Sequence, residues 1–349
     1  MRLSAVAATS LCAFISALTS APIAQAAPEL RVSGPVVHEN LAIYFIHGPS
    51  KAGAAPLTLA EALSQKLVQV RETSHVNSLE IENLGDQPVF VQAGDIVKGG
   101  KQDRTIAVSL LLPPKSGRIP IASFCVEAHR WSPRGDENGQ YFTSAAAAVP
   151  SRDLKMAIQG APPKTASTGA GNAMNNNLGA SQMMVWDSVR AAQERLTSST
   201  GTDVRSKVSD SSLQLALENK KLVEMRAAYL GALAKAADKD SDIVGYVFAV
   251  NGKLNSGDVY MSNALFKKMW PKMLEASAIE AISLRNDDKT KPPTIAAVEE
   301  LLAEADKGAR HEDATAFGMR RVMSANENAL FVEADLKNGA LLHRSYLAR

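Results

Sequence analysis

The sequence predicts an α+β protein with a β-rich first half and a mixed second half. Between residues 27 and 149, short apolar or alternating runs are separated by turn residues, which is typical of an antiparallel β sandwich or barrel. From residue 183 to 349 the apolar residues recur at helical spacing, with hairpin signals among them. We therefore expect a mostly antiparallel β sandwich or barrel first, and helices with an antiparallel sheet second.

The first half contains one predicted helix among strands. Thr58 and Glu61 have the spacing of a capping box, so a short helix should begin there. The run Leu79–Glu82 alternates strictly between apolar and charged residues, which predicts a half-buried strand. Longer apolar runs predict further strands at Ile106–Leu112 and Ile119–Glu127.

Residues 150–182 interrupt both patterns. This stretch contains Pro162-Pro163 and Asn175–Asn177, together with several glycines. Such residues favour turns and irregular structure over helices or strands. We expect a flexible linker or mobile surface loop here, between the β-rich half (27–149) and the α+β half (183–349).

Capping and turn residues mark the predicted elements of the second half. Ser262 and Thr294 are predicted N-caps of two helices, and the composition of Leu213–Ala236 favours one longer helix. Asn251-Gly252 tolerates positive φ and predicts a hairpin turn between two strands. Pro271 should kink the helix that follows Ser262 or start a second one.

The first 26 residues are typical of a signal peptide. Arg2 precedes the apolar run Ala5–Leu18, and Ala24-Gln25-Ala26 has the small residues that signal peptidases require. A transmembrane helix needs about 20 apolar residues, and this run is shorter. We expect cleavage after Ala26, a periplasmic or secreted protein, and no membrane span after cleavage.

The composition of the mature chain excludes several classes of protein. The sequence has 38 Lys and Arg against 36 Asp and Glu, and this balance gives no signature of nucleic-acid binding. Cleavage removes Cys12 and leaves Cys125 as the single cysteine, so an internal disulfide is excluded.

The segment Ala93–Arg104 is the densest group of functional residue types. A Gly-Gly pair allows a sharp turn and close approach of another molecule, and the surrounding cations suit a phosphate or carboxylate. Asp95 and Asp103 are candidate general bases. The alternative is a solvated hairpin turn whose charges cancel. The candidate ligand-binding residues of this segment are Lys98, Gly99, Gly100, Lys101, Gln102 and Arg104.

A second group follows the strand that ends near residue 127. Glu127 is a candidate acid or base, Arg130 a candidate ligand-binding residue, and Trp131 a candidate stacking ring. The alternative is a salt bridge at a strand edge with a half-buried Trp131. Cys125 and His129 could form a dyad only if the chain bends between them, since i and i+4 side chains of a strand lie about 13 Å apart.

Metal and nucleophile motifs are lacking. None of the six histidines forms H-x-H or H-E-x-x-H, so we predict no metal site, although one composed of distant residues stays open. No G-x-S-x-G motif occurs. The sequence indicates no particular cofactor.

Four stretches, which begin with the run from residue 79 to 104, resemble a bacterial family, the ADP-ribosylglycohydrolase and rhodanese-phosphatase-superfamily-associated protein domain. The resemblance covers roughly residues 35 to 346, which implies that 27–349 forms one family unit. It also implies, by association, that the protein binds or processes ADP-ribose-like nucleotides. The stretches are Leu79–Arg104, Ser123–Glu127 with Arg130-Trp131, Val244–Gly252 and Leu265–Pro271.

Two functions are compatible with these observations. The first is an exported protein that binds or processes an anionic small molecule through the two groups of residues described above. The second is a non-catalytic envelope protein that binds a protein or glycan partner through strand edges or the 150–182 loop.

Overall fold

The computed structural model describes residues 30–160, 178–288 and 290–349. The predicted signal peptide (1–26) and residues 161–177 of the predicted linker lie outside the described residues. The strands are β1 (Arg31–His38), β2 (Leu41–His47), β3 (Leu57–Thr58), β4 (Val68–His75), β5 (Ser78–Asn83), β6 (Val89–Val91), β7 (Asp95–Gly99), β8 (Arg104–Ile106), β9 (Leu110–Leu112), β10 (Gly117–Cys125), β11 (Phe142–Ala148), β12 (Ile243–Val250), β13 (Lys253–Tyr260), β14 (Ala309–Ala314), β15 (Arg320–Ala325), β16 (Ala329–Asp335) and β17 (Leu341–Ala348). The helices are α1 (Leu59–Ser64), α2 (Arg152–Ile158), α3 (Leu178–Thr200), α4 (Leu213–Leu217), α5 (Lys220–Leu233), α6 (Asn263–Ser283) and α7 (Ile295–Ala305).

The largest sheet joins the two ends of the chain. Its eight strands run in the order β1-β2-β12-β13-β17-β16-β15-β14, and neighbouring strands are antiparallel. The hairpin β12–β13 turns at Asn251 and Gly252, which have φ of 48° and 71°. The N-terminal hairpin β1–β2 therefore shares a sheet with strands of the second half.

A six-stranded sheet, in the order β11-β7-β8-β10-β5-β4, holds the polar segment that the sequence singled out. The strands of a three-stranded sheet, β3-β6-β9, are interspersed along the chain among those of the six-stranded sheet. The predicted strand Ile106–Leu112 is two strands, because β8 ends at Ile106 and β9, in the other sheet, begins at Leu110. Ser109, directly before β9, is the one polar residue in this run, and alone it did not indicate the break.

Helix α6 forms much of the core, where it packs on β12, β11, α3 and α5. The ring of Trp270 lies 5.5 Å from the rings of both Phe45 and Tyr246, which join two strands of the large sheet to the helix. Such aromatic pairs contribute about 0.5–1.5 kcal/mol each beyond their burial. Pro271 lies inside α6, which continues as one helix and does not restart there.

Two helical regions differ from the sequence prediction. Leu213–Ala236 is not one helix, because α4 ends at Leu217 and Asn219 caps a new helix, α5, by accepting hydrogen bonds from two amides of its first turn. Within the predicted 150–182 linker, the described residues include α2 and the start of α3. The buried side chains of Leu154 and Ile158, spaced for one helix face, explain α2.

The prediction of an α+β fold with antiparallel sheets is confirmed. The predicted caps of Thr58, Ser262 and Thr294 are also present, each accepting a hydrogen bond from a first-turn amide. Within the described ranges, no helix has both the length and the apolar character needed to cross a membrane.

A pair of glycine substitutions tests the packing of the large sheet. A Cβ at Gly245 in β12 would overlap the carbonyl oxygen of Asp258 in β13, so Gly245→Ala should lower the free energy of unfolding by about 1–3 kcal/mol. A Cβ at Gly231 in α5 meets nothing within 4 Å, so Gly231→Ala should raise stability by about 0.5–1 kcal/mol. Urea unfolding measures both, and equal shifts of the same sign would contradict this packing.

Candidate functional site

The Gly-Gly turn between β7 and β8 has the left-handed backbone that only glycine adopts easily. Gly99 and Gly100 have φ of 123° and 57°. A Cβ at Gly100 would overlap the Phe142 ring and lie 2.9 Å from a carboxylate oxygen of Glu72. The close approach that the glycines permit is thus used by side chains of the protein itself.

Asp103 is a fully buried carboxylate that follows this turn. Its two oxygens accept hydrogen bonds from Arg134 Nη2 at 3.2 and 3.1 Å, from Ser212 Oγ at 3.0 Å and from the Gly99 amide at 3.1 Å. Burial and the nearby Glu127 carboxylate raise the pKa of Asp103, although the Arg134 charge opposes them.

Glu127 is equally buried, just beyond the end of β10. It accepts hydrogen bonds from Arg130 Nε at 2.7 Å, from Ser209 Oγ at 2.5 Å and from the Asp103 amide at 3.1 Å. Arg134 Nη1 adds a longer contact at 3.4 Å. Burial alone would raise the pKa of Glu127, but the hydrogen bonds from Arg130 and Ser209 outweigh it and lower the pKa.

We call Asp103, Glu127, Arg130 and Arg134 the carboxylate–arginine network. Three of the four carboxylate oxygens in it accept at least two hydrogen bonds, and the fourth, Glu127 Oε2, accepts one from the Asp103 amide and is ion-paired with Arg130 Nη2 at 2.6 Å. Both carboxylates are closed to solvent. A general base needs an accessible oxygen within reach of substrate. The geometry therefore favours a structural role for the two acids, which tie the turn, the 127–137 loop and the 209–212 loop together.

Asp95 lies at the other end of β7, about 13 Å from Gly99 by strand geometry. Its carboxylate binds Lys272 Nζ at 2.5 Å and accepts a hydrogen bond from the Gln92 amide at 3.0 Å. It lines a separate cleft of about 500 Å³ beside α6. The structure thus does not bring Asp95 together with the network. Lys98 is also paired elsewhere, with Glu218 at 2.9 Å.

Lys101, Arg104 and Trp131 do converge. Lys101 Nζ lies 5.1 Å and Arg104 Cζ 5.6 Å from the centre of the Trp131 ring. Arg104 is fully buried, and its guanidinium contacts Glu72, Cys125 and Gln102. The Gln102 side chain is also buried. The indole of Trp131 is 43% exposed, and Lys101 has no ion pair among the described residues. We call these two side chains the Lys101–Trp131 surface.

Cys125 does not form a dyad with His129. Cys125 is fully buried, whereas His129 is exposed in a bend where its φ is 66°. Burial raises the pKa of the Cys125 thiol to about 11, although the nearby Arg104 charge lowers it. The thiol is therefore protonated at neutral pH and serves as a small buried group.

Sequence spacing missed a second polar constellation. Ser109 Oγ lies 3.0 Å from His343 Nδ1, and His343 Nε2 lies 3.1 Å from Asp258 Oδ1. All three side chains line a cavity of about 40 Å³. Their sequence separation hides the arrangement, and Asp258 does not stand out in the sequence because most residues of β13 are polar or glycine. No cluster of His, Cys, Asp and Glu able to hold a metal ion occurs in the described parts of the chain.

The fold and the Gly99-Gly100 turn define an α+β protein with a buried carboxylate–arginine network. The model of one family, the ARG and Rhodanese-Phosphatase-superfamily-associated Protein domain, matches residues 29–347, so the chain belongs to that family. The match spans both the β-rich and the mixed half. No curated protein and no solved structure matches the chain significantly.

Alkylation tests the assignment of Cys125. With Cys12 replaced (Cys12→Ser), the folded protein should resist iodoacetamide at about pH 8, because only about a thousandth of a thiol with a pKa near 11 is ionised there. The same protein in concentrated guanidinium should be alkylated fully, as mass spectrometry would show. Equal alkylation rates in both states would refute a buried, protonated thiol.

Proposed function

We propose that this protein binds a nucleotide-like anionic small molecule at the Lys101–Trp131 surface. One observation carries the proposal: an ammonium without an ion pair among the described residues lies over a half-exposed indole. Lys101 would attract a phosphate, and Trp131 would stack on a base, which contributes about 1–3 kcal/mol per ring. A ligand with both an anionic group and an aromatic ring uses both side chains.

The buried residues beneath this surface support its role by holding it in place. Arg130 precedes Trp131 and is fixed by one hydrogen bond and one ion-pair contact to Glu127. Arg104 is fixed from below by its contacts in the core. Such preorganisation lowers the ordering cost of binding.

The proposal is one of binding and not of acid–base catalysis at this surface. Asp103 and Glu127 have no accessible oxygen, and Asp95 lies in another cleft. We take the ligand class, ADP-ribose and related nucleotides, from the association in the family's name. Direct participation of Gly99, Gly100 and the other predicted residues in ligand contacts stays a prediction.

The alternative, a protein partner bound at a sheet edge, has less support. Strand β14 lies at the edge of the large sheet, and all six of its residues are exposed. Arg310, Glu312 and Asp313 place charges along it. Charged residues on an edge strand oppose pairing with another strand, so this edge is poorly suited to β augmentation.

Ligand binding can be tested by thermal unfolding of the purified protein with ADP-ribose, NAD, sugar phosphates or inorganic phosphate. A ligand at a hundred times its Kd should stabilise the protein by about 2.7 kcal/mol. Trp131→Ala should weaken ADP-ribose binding roughly tenfold to a hundredfold through the lost stacking. Lys101→Gln should weaken both ADP-ribose and phosphate.

The matched control is Lys115→Gln, which removes an exposed ammonium from a different turn and should leave the Kd unchanged. Inorganic phosphate should bind more weakly than ADP-ribose, because it lacks a ring for Trp131. If none of the four ligands stabilises the protein, or if the Lys101, Trp131 and Lys115 variants respond alike, the proposed surface is wrong.

We also propose that the chain is exported, as residues 1–26 predict. Expression in a bacterium with fractionation should place the protein in the periplasm or the medium. Edman sequencing of that protein should begin at Ala27. Protein that stays in the cytoplasm with Met1 retained would contradict export.

A further inference from the structure

We propose that Ser109 is the nucleophile of a hydrolytic centre, with His343 as its base, that cleaves short acyl esters of anionic molecules. This inference goes beyond the ligand site proposed above and shares no residue with it. It rests on the hydrogen-bonded chain Ser109–His343–Asp258 and on the two cavities beside it.

The hydrogen bonds that link Ser109, His343 and Asp258 all donate in the direction from Ser109 to Asp258. The Ala93 amide donates to Ser109 Oγ at 2.9 Å, which leaves the hydroxyl proton to be donated to His343 Nδ1. The other ring nitrogen, Nε2, then donates to the Asp258 carboxylate. The ring is turned the opposite way from the serine-protease arrangement, but Nδ1 still faces the nucleophile and Nε2 the carboxylate that orients the ring.

Packing holds the base and its carboxylate in position. The His343 ring lies 5.0 Å from Tyr260 and 5.7 Å from Phe90, and both His343 and Asp258 are 2% exposed. Burial would raise the pKa of Asp258, but the His343 hydrogen bond and the Lys155 charge outweigh it and keep the carboxylate ionised. Ser109 is only half-buried, so the hydroxyl end of the chain is the accessible one.

The cavities set the chemical class of the substrate. The cavity of about 40 Å³ beside Ser109 has room for about three water-sized groups, which suits a short acyl group. An adjoining cavity of about 170 Å³ shares Gln159 and Arg321 with it. Arg321 is desolvated, which lowers its pKa, and its nearest carboxylate, on Asp313, is 3.6 Å away. An anionic group would add a second counter-charge to this guanidinium, which also donates a hydrogen bond to Gln159 Oε1 at 2.7 Å.

The reaction is an ordinary acyl transfer to water. Ser109 Oγ bonds to the ester carbonyl carbon while its proton passes to His343 Nδ1. The carbon–oxygen bond to the leaving alcohol then breaks, and that oxygen takes the proton from Nδ1. Water attacks the acyl-Ser109 ester in the same way, which releases the carboxylic acid and restores the hydroxyl. Lys155, which lines the smaller cavity without an ion pair among the described residues, is placed to stabilise the oxyanion.

A second set of hydrogen-bonded Ser, His and Asp side chains provides an internal control for the test. Ser33 Oγ lies 2.7 Å from His47 Nε2, and His47 Nδ1 lies 2.7 Å from Asp242. The Asp242 side chain, however, is 51% exposed and is shared with Arg31 at 3.1 Å. A solvated carboxylate that is shared with an arginine orients an imidazole, and stabilises its protonated form, less than the buried Asp258 does.

The test uses a fluorophosphonate probe on the purified protein, with the modified residue mapped by mass spectrometry. We expect the label on Ser109, and Ser109→Ala should abolish it. Hydrolysis of 4-nitrophenyl acetate should fall roughly a hundredfold or more in Ser109→Ala. Asp258→Asn should lower that rate at least about tenfold and change its pH profile, which a purely structural loss would not do. Ser33→Ala should change neither labelling nor rate.

Mapping the label on the unmodified protein keeps the test valid even if a variant fails to fold. No label, a label on Ser33, or hydrolysis that survives Ser109→Ala would each overturn the proposal. Because neither the probe nor the ester is a nucleotide, these outcomes are independent of ADP-ribose binding.

Discussion

The burial of two neighbouring carboxylates, Asp103 and Glu127, is the constraint on which the candidate ligand surface depends. Two like charges closed to water are tolerated only if cations and donors surround them, and Arg130 and Arg134 supply that charge. Removing one partner of such a group leaves an uncompensated buried charge. The network therefore fixes the arrangement of its loops more strictly than apolar packing would.

The positions of the exposed groups follow from this constraint. The Glu127 carboxylate accepts a hydrogen bond from the Asp103 amide, and the Asp103 carboxylate accepts one from the Gly99 amide. These bonds fix the Gly-Gly turn relative to the end of β10. Trp131 follows Arg130 directly, and Lys101 lies in the Gly-Gly turn between β7 and β8. Their meeting at 5.1 Å is thus a consequence of ion pairs formed beneath them.

Local sequence patterns predicted what local chemistry decides. The caps and the Asn251-Gly252 turn need only neighbouring residues, and the convergence around the Gly-Gly turn follows from one hairpin and one adjacent strand. Arg134 was missed because it lies in an irregular loop without periodicity. Ser109 and His343 were missed because their contact depends on how β9 and β17, strands of different sheets, meet.

A double-mutant cycle between Asp103 and Arg134 tests the central claim most directly. The free energy of unfolding would be measured for Asp103→Asn, Arg134→Met and the double variant. We expect Arg134→Met alone to cost about 3–5 kcal/mol, and the two changes together to cost about 1.5–3 kcal/mol less than the sum of their separate effects. Additive effects within about 0.5 kcal/mol would contradict the claim that this buried network holds the candidate site together.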